Sequence, residues 1–183
     1  MRNSRIYCLL ISILTLSGCI GTQVEKPTIS VNHGFADTNR VIDPQRIKQG
    51  GKLLIIPFKA GEEVEANDEL NKVALMMVKG IAEELKVQDS PFTILTAEDA
   101  DTADLIIKGH VVKMNQTIGL KKWIPGQNGI DLKVNGEMID KKSNKRLLVF
   151  SQQKTGKQPQ EDFKSLGKNI GYDIGRYIMT GVK

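Results

Sequence analysis

Hydrophobic and polar positions change period along this chain in an order that sets out its architecture. A short apolar run, Ile6 to Leu16, comes first. Residues 20–49 are polar and irregular, carry Gly21, Pro27, Gly34 and Pro44, and hold no sustained apolar period. Beyond Gly50-Gly51, Lys52 to Phe58 is a continuous apolar run, the mark of a strand buried on both faces, and Pro57 limits pairing near its end. Asn67 is placed to cap a helix, with Asp68 and Glu69 suited to its first turn. Leu70, Val73, Ala74, Met77, Ile81 and Leu85 then recur on one helical face.

Ser90-Pro91 breaks the chain before a short strand, Phe92 to Leu95, and Glu98 to Asp101 is polar. Leu105 to Met114 reads as a longer strand, followed by a loop over 115–128. Ile130, Leu132, Val134, Gly136 and Met138 alternate with Asp131, Lys133, Asn135 and Glu137, which predicts a half-buried strand. A polar turn, Lys141 to Lys145, returns the chain to Leu147–Gln153 as hairpin partner. Phe163, Leu166, Ile170, Ile174, Tyr177 and Ile178 mark a closing amphipathic helix. The predicted order is β-α-β-β-β-β-α: an α/β (α+β) domain over 51–183, with helices packed on a single mixed sheet of four to five strands.

The leader changes the meaning of the polar stretch. Arg2 and Arg5 precede the apolar run, no acid occurs before Glu25, and the run ends in Leu16-Ser17-Gly18-Cys19. This is the layout of a lipoprotein signal peptide over residues 1–18, cut before Cys19, whose thiol then takes up fatty acyl chains. A spanning helix needs roughly 20 apolar residues, more than this run supplies. Residues 19–50 become the lipidated N-terminus and a tether, part of 40–49 being able to dock on the domain. Cys8 leaves with the leader, so Cys19 is the sole mature cysteine and no disulfide framework exists.

Charge excludes one class of partner. The chain is formally +5, and loss of Arg2 and Arg5 lowers this to +3. The excess is too small and too dispersed for nucleic-acid binding. Candidate chemistry is sparse. His33 lies in the tether and His110 shares a strand face with Ile106, Lys108 and Val112, as a packed histidine would. No His, Cys or carboxylate spacing fits a metal, and Gly50-Gly51-Lys52 lacks a phosphate-binding frame. Glu98, Asp99, Asp101 and Asp104 are crowded acids, read as hydrated strand-edge charges rather than a cation site. No cofactor and no catalytic residue is expected.

Two features stand above this background. Gly167, Gly171 and Gly175 repeat at every fourth position of the last helix, where each costs about 1 kcal/mol against alanine. Either the helix packs closely on its own sheet, or the stripe is a groove for a partner helix or a second copy. The 115–128 loop carries the one tryptophan, Trp123, beside Lys121 and Lys122. That pairing suits an interface contact, and a lid folded over the sheet accounts for it equally.

Leu53–Phe58, Ala103–Gly109, the strand ending Met138–Asp140 and the turn from Asp140 through Ser143 and Lys145 to Leu147 together resemble a broad group of bacterial envelope lipoproteins. The group includes curli-type secretion-channel lipoproteins and lipoprotein activators of penicillin-binding proteins. Its domain is similar to the N-terminal domain of the Tol-system translocation protein. The resemblance implies a non-catalytic accessory role, held to a membrane and binding a protein partner in envelope assembly or secretion. The alternatives are a subunit of an oligomeric secretion channel or a periplasmic binder of small ligands or wall fragments. Ile20 rather than aspartate after Cys19 resembles lipoproteins sorted to the outer membrane, with the domain in the periplasm.

Overall fold

Among the described residues seven strands form one open mixed sheet, more than the four to five that the pattern predicts. The structure, a computed structural model, describes residues 39–117, 129–156 and 161–183. Its elements run β1 (Arg40–Val41), α1 (Pro44–Lys48), β2 (Gly51–Ile55), β3 (Lys59–Ala60), α2 (Asp68–Val87), β4 (Phe92–Leu95), a 3-10 turn (Ala97–Thr102), β5 (Leu105–Thr117), β6 (Gly129–Asp140), β7 (Arg146–Gly156) and α3 (Phe163–Thr180). The order across the sheet is β1-β7-β6-β5-β2-β4, with β3 also on β5. β2 is parallel to β4 and β5, whereas β5, β6, β7 and β1 are antiparallel in turn.

The extra strands are β1 and β3, each two residues long and too short to leave a period. β1 also moves the domain boundary. Arg40 and Val41 pair with Val149 and Leu148, Asp43 caps α1 by accepting from the Arg46 amide at 2.9 Å, and Ile47 is fully buried. The domain therefore begins ahead of Gly51. A five-residue helix with one core side chain gives sequence periodicity nothing to register.

The predicted cap of α2 is present: Asn67 Oδ1 accepts from the Leu70 amide at 2.9 Å. The six face residues of this helix are buried. Asp162 caps α3 in the same way, accepting from the Ser165 amide and hydroxyl at 2.7 Å. Both helices lie on one face of the sheet, over Leu53, Ile55, Leu105, Ile107, Val134 and Met138. Under them, Gly109 and Gly136 are neighbours across β5 and β6. Phe58 lies over the first and Phe150 over the second, their ring centroids 6.1 Å apart. A Cβ on either glycine would fall within 2.4 Å of a ring carbon. Among the described residues no helix is long and apolar enough to cross a membrane.

Candidate functional site

On the face of the sheet opposite α2 and α3 the pleat sorts side chains into rows, and the 3-10 turn, which joins β4 to β5 past the intervening β2, packs against β2 and β4. Leu95, Leu54, Ile106 and Ile139 stand in register across β4, β2, β5 and β6. The first three are half-buried and Ile139 is buried. Strands lie about 4.8 Å apart, so this aliphatic row is about 14 Å long. Lys52, opposite Thr93, flanks it on one side. On the other runs the row Lys108, Glu137, Val149 and Arg40.

Glu137 is the hub of that second row. It is only 5 % exposed, accepts from Arg146 Nε at 2.5 Å, and has Lys108 Nζ at 3.4 Å. A carboxylate this buried needs paired cations to stay charged. The next row is Lys59, His110, Asn135 and Ser151. His110 is half-buried here, and Asn135 Oδ1 is buried without a hydrogen-bond partner. A bulge between Val111 and Lys113 re-aims β5. Beyond it Lys113 stands opposite Lys133. Lys113 Nζ reaches Asp131 at 2.5 Å, and Thr155 and Gln153 donate to the other carboxylate oxygen. Those donors, Lys113 first, hold the Asp131 carboxyl at about 2.

At the end of β6 Asp140, opposite Leu105, ties α1 to the β6–β7 turn. Ser143 donates to its Oδ1 through both amide and hydroxyl, and Arg46 Nε donates to Oδ2 at 2.6 Å. The Ser143 amide is the chief cause that brings its carboxyl down to about 2. A polar cleft of about 640 Å³ opens there beside Asp104 and Lys141. Its charges are spent on structure: Asp104 accepts from the Lys52 amide and Lys141 donates to the carbonyls of Ala100 and Asp101. Of the other crowded acids, Asp99 accepts from the Thr96 hydroxyl. Among the described residues there is no cysteine, His110 is the one histidine, and no group of three or more His, Cys, Asp or Glu could hold a metal.

The glycine stripe receives a correction. A Cβ on Gly171 would stand 2.4 Å from Met77 O and 2.9 Å from Gly80 Cα, and one on Gly175 would stand 2.7 Å from Glu84 Cβ. Gly167 meets Val73 at 3.0 Å. The stripe therefore closes on α2 of the same chain rather than on the sheet, and leaves no groove for another helix. Its counterpart on α2, Gly80, escaped sequence reading because a lone glycine in a helix carries no period. Glu84 escaped too. It is buried near the glycine contact and takes Arg176 Nε at 3.3 Å and Gln88 Nε2 at 3.1 Å. Leu16, Ser17, Gly18, Cys19, Lys121, Lys122 and Trp123 lie outside the described residues.

Among the described residues both ends of the sheet carry little cover. There β4 pairs only with β2. β1 pairs with β7 at Leu148 and Val149, the Ile42 and Asp43 amides donate to the Leu147 carbonyl, and past them Asn39 Oδ1 accepts from the Ser151 amide at 2.8 Å. A strand edge of this kind presents free amides and carbonyls.

No protein-family model and no curated protein matches this chain. Solved structures do. PelC of Paraburkholderia phytofirmans, solved as a dodecamer, is similar at 13 % identity over 77 % of this chain and 96 % of its own, with a TM-score of 0.54. The protein XCC0632 of Xanthomonas campestris matches at 11 % identity over 79 % of this chain and 94 % of its own, TM-score 0.48. Lipoprotein GNA1162 of Neisseria meningitidis matches at 11 % identity over 69 % of this chain and 96 % of its own, TM-score 0.43. At these identities the likeness is one of fold, and the fold shared with PelC is this two-layer α/β domain.

Proposed function

We propose that this chain is a lipid-anchored, non-catalytic accessory protein of the cell envelope that works by association, with further copies of itself as first partner. The observation that carries the reading is the pair of thinly covered edges, β4 at one end of the sheet and β7 past Val149 at the other. Two different edges on one protomer favour head-to-tail addition, which closes into a ring when the rotation per subunit allows. The PelC fold, solved as a dodecamer, supports that mode of assembly. The lipoprotein box ending in Cys19 supports attachment to a membrane, and Ile20 after it supports the outer one. The stretch of sequence with Lys121, Lys122 and Trp123 is a second contact region we assign to a protein partner, in envelope assembly or secretion.

The likeness to a dodecamer also favours a second reading, a subunit of an oligomeric secretion channel. β5, β6 and β7, at 13, 12 and 11 residues, are long enough to cross a bilayer. Against it, the apolar side of these strands packs under α3, where Leu166 meets Gly156, and the other side carries Lys113, Asp131 and Lys133. Neither side is a lipid-facing one.

The mature lipoprotein in mild detergent tests both. Light scattering is expected to give a discrete multiple of the protomer mass, and planar bilayers no conductance. Stepwise conductance carries the channel reading instead. A protomer mass at every concentration, with no crosslinked partner in cells, removes the association reading.

A further inference from the structure

We propose that the recess beyond the end of β4 seats a partner protein, through an extended segment that carries basic residues and alternate apolar side chains. β4 stops at Leu95, opposite Leu54. Alongside Ile55 to Ala60 the next lane of the sheet therefore holds no strand among the described residues, and there β3 pairs with β5 alone. Six residues at about 3.3 Å each make that lane about 20 Å long. A vacant lane one strand wide, beside an unpaired edge, fits an extended chain, whereas a helix would overfill it.

The first half of α2 borders this lane. Phe58 and Ala60 from the sheet and Leu70, Ala74 and Leu75 from α2 line a cleft of about 630 Å³, with Lys59 and Asn71 as its polar members. Leu75 is 59 % exposed, one of three large apolar side chains left so open among the described residues, the others being Ile42 and Val87. Strand addition draws affinity from main-chain hydrogen bonds and selectivity from pockets that take alternate side chains. The β3 edge supplies the first and the cleft supplies the second.

Charge sets the sign of the partner. From Lys59 to Lys72 stand five carboxylates, Glu62, Glu63, Glu65, Asp68 and Glu69, against those two lysines, a net −3 within a chain of formal +5. All five are exposed, and none forms an ion pair with a described residue. Asp68 and Glu69 have a structural use, since they lie in the first turn of α2 at its positive end. Glu62, Glu63 and Glu65 have no cap to make. They lie between β3 and α2, next to Ala66, which also lines the cleft. Cations on an incoming segment meet this rim favourably, and an acidic segment is repelled. The recess adjoins β4 without including it, so this site deepens the association reading above with a partner of different sequence.

Calorimetric titration of the mature chain, residues 19–183 with Cys19→Ser, tests the site with an acetylated ten-residue peptide of alternating Lys and Val. That peptide is expected to bind, and half-molar salt to weaken it. A Glu-Val peptide of the same length is expected to bind about tenfold more weakly or not at all. So is the Lys-Val peptide methylated on every backbone nitrogen, which keeps its charge and cannot donate to a strand. Leu75→Ser is expected to weaken the Lys-Val peptide about tenfold. Replacing Glu62, Glu63 and Glu65 together by Gln is expected to do the same. Val87→Ser, and the joint change Glu98→Gln, Asp99→Asn and Asp101→Asn, are expected to leave binding within about twofold of the parent. All of these side chains are exposed, and an unchanged melting temperature shows that each variant is folded. Absence of binding by the Lys-Val peptide, equal binding by the Glu-Val or methylated peptide, or equal loss in the matched variants overturns the proposal. So does a peptide that lowers the mass measured by light scattering, since the recess then belongs to another copy. Copies that crosslink through β4 while no peptide binds would remove this site and keep self-association.

Discussion

The two sides of this sheet solve opposite problems with the same strands. On the helix side, α2 and α3 approach until Gly80 and Gly171 touch, and any added carbon has nowhere to go. On the open side, Glu137 and Asp131 are held by long cationic side chains that keep one end in water. The helix side gains its stability from dispersion and exclusion of water, which fail sharply when geometry changes. The other side holds its acids through ion pairs whose cationic ends stay in water, so a single change there costs less than one on the helix side.

The largest predicted effect breaks the sealed side. Gly171→Ala forces Cβ onto Met77 O and Gly80 Cα and is expected to lose about 3 kcal/mol in urea unfolding, the range of overpacked cores. Asn115→Ala, at an exposed position of the open side, is expected to change stability by less than about 0.5 kcal/mol. Equal losses from the two changes would erase the distinction between the faces.

Glu137 sits between these extremes. Glu137→Ala leaves Arg146 and Lys108 without their buried acid. Both cations are nearly half exposed, at 47 % and 46 %, so water recovers much of the loss. The expected cost is about 2 kcal/mol, below that of a fully buried pair, and thermal unfolding with and without added salt measures it. A cost under about 0.5 kcal/mol would place Glu137 with the exposed ion pairs.

The pH response is smaller still. Asp131 and Asp140 titrate at about 2 in the fold against 3.8 when free. A depressed carboxyl stabilises the fold fully above its unfolded value, and that contribution fades as pH falls from about 4 towards 2. Each is expected to contribute on the order of 1 kcal/mol once contact with water is allowed for. Asp131→Asn should flatten the acid limb of a stability–pH curve over that window and leave the neutral region with only this loss. An unchanged acid limb would show that Asp131 gains nothing from Lys113.

How much of this was legible depends on element length. The 20-residue α2 and the 18-residue α3 declared themselves through face residues and caps, and the alternation in β6 marked both of its sides. Two-residue strands and a five-residue helix leave no period, so β1, β3 and α1 became visible only when Val41 and Ile47 found tertiary partners. The same limit explains the glycines. Three at every fourth position raised the question of close packing, but the answer lay in Gly80, more than eighty residues away in the chain. The open face was half legible: its charged alternation in β6 was plain, whereas its aliphatic row needs the register of four strands. Burial of Glu137 and Asn135 on a polar face also had no local signal, since both occupy positions that alternate as solvent-facing.

The central claim is that this protein acts by association through the edges of its sheet. Site-specific photocrosslinking from Thr93 on β4 in intact cells tests it most directly, with Lys72 on the solvent side of α2 as the control position. The account predicts crosslinked dimers and higher multiples from Thr93, joined to peptides of β7 between Gln152 and Gly156, and none from Lys72. Equal crosslinking from both positions, or none from Thr93, would contradict it.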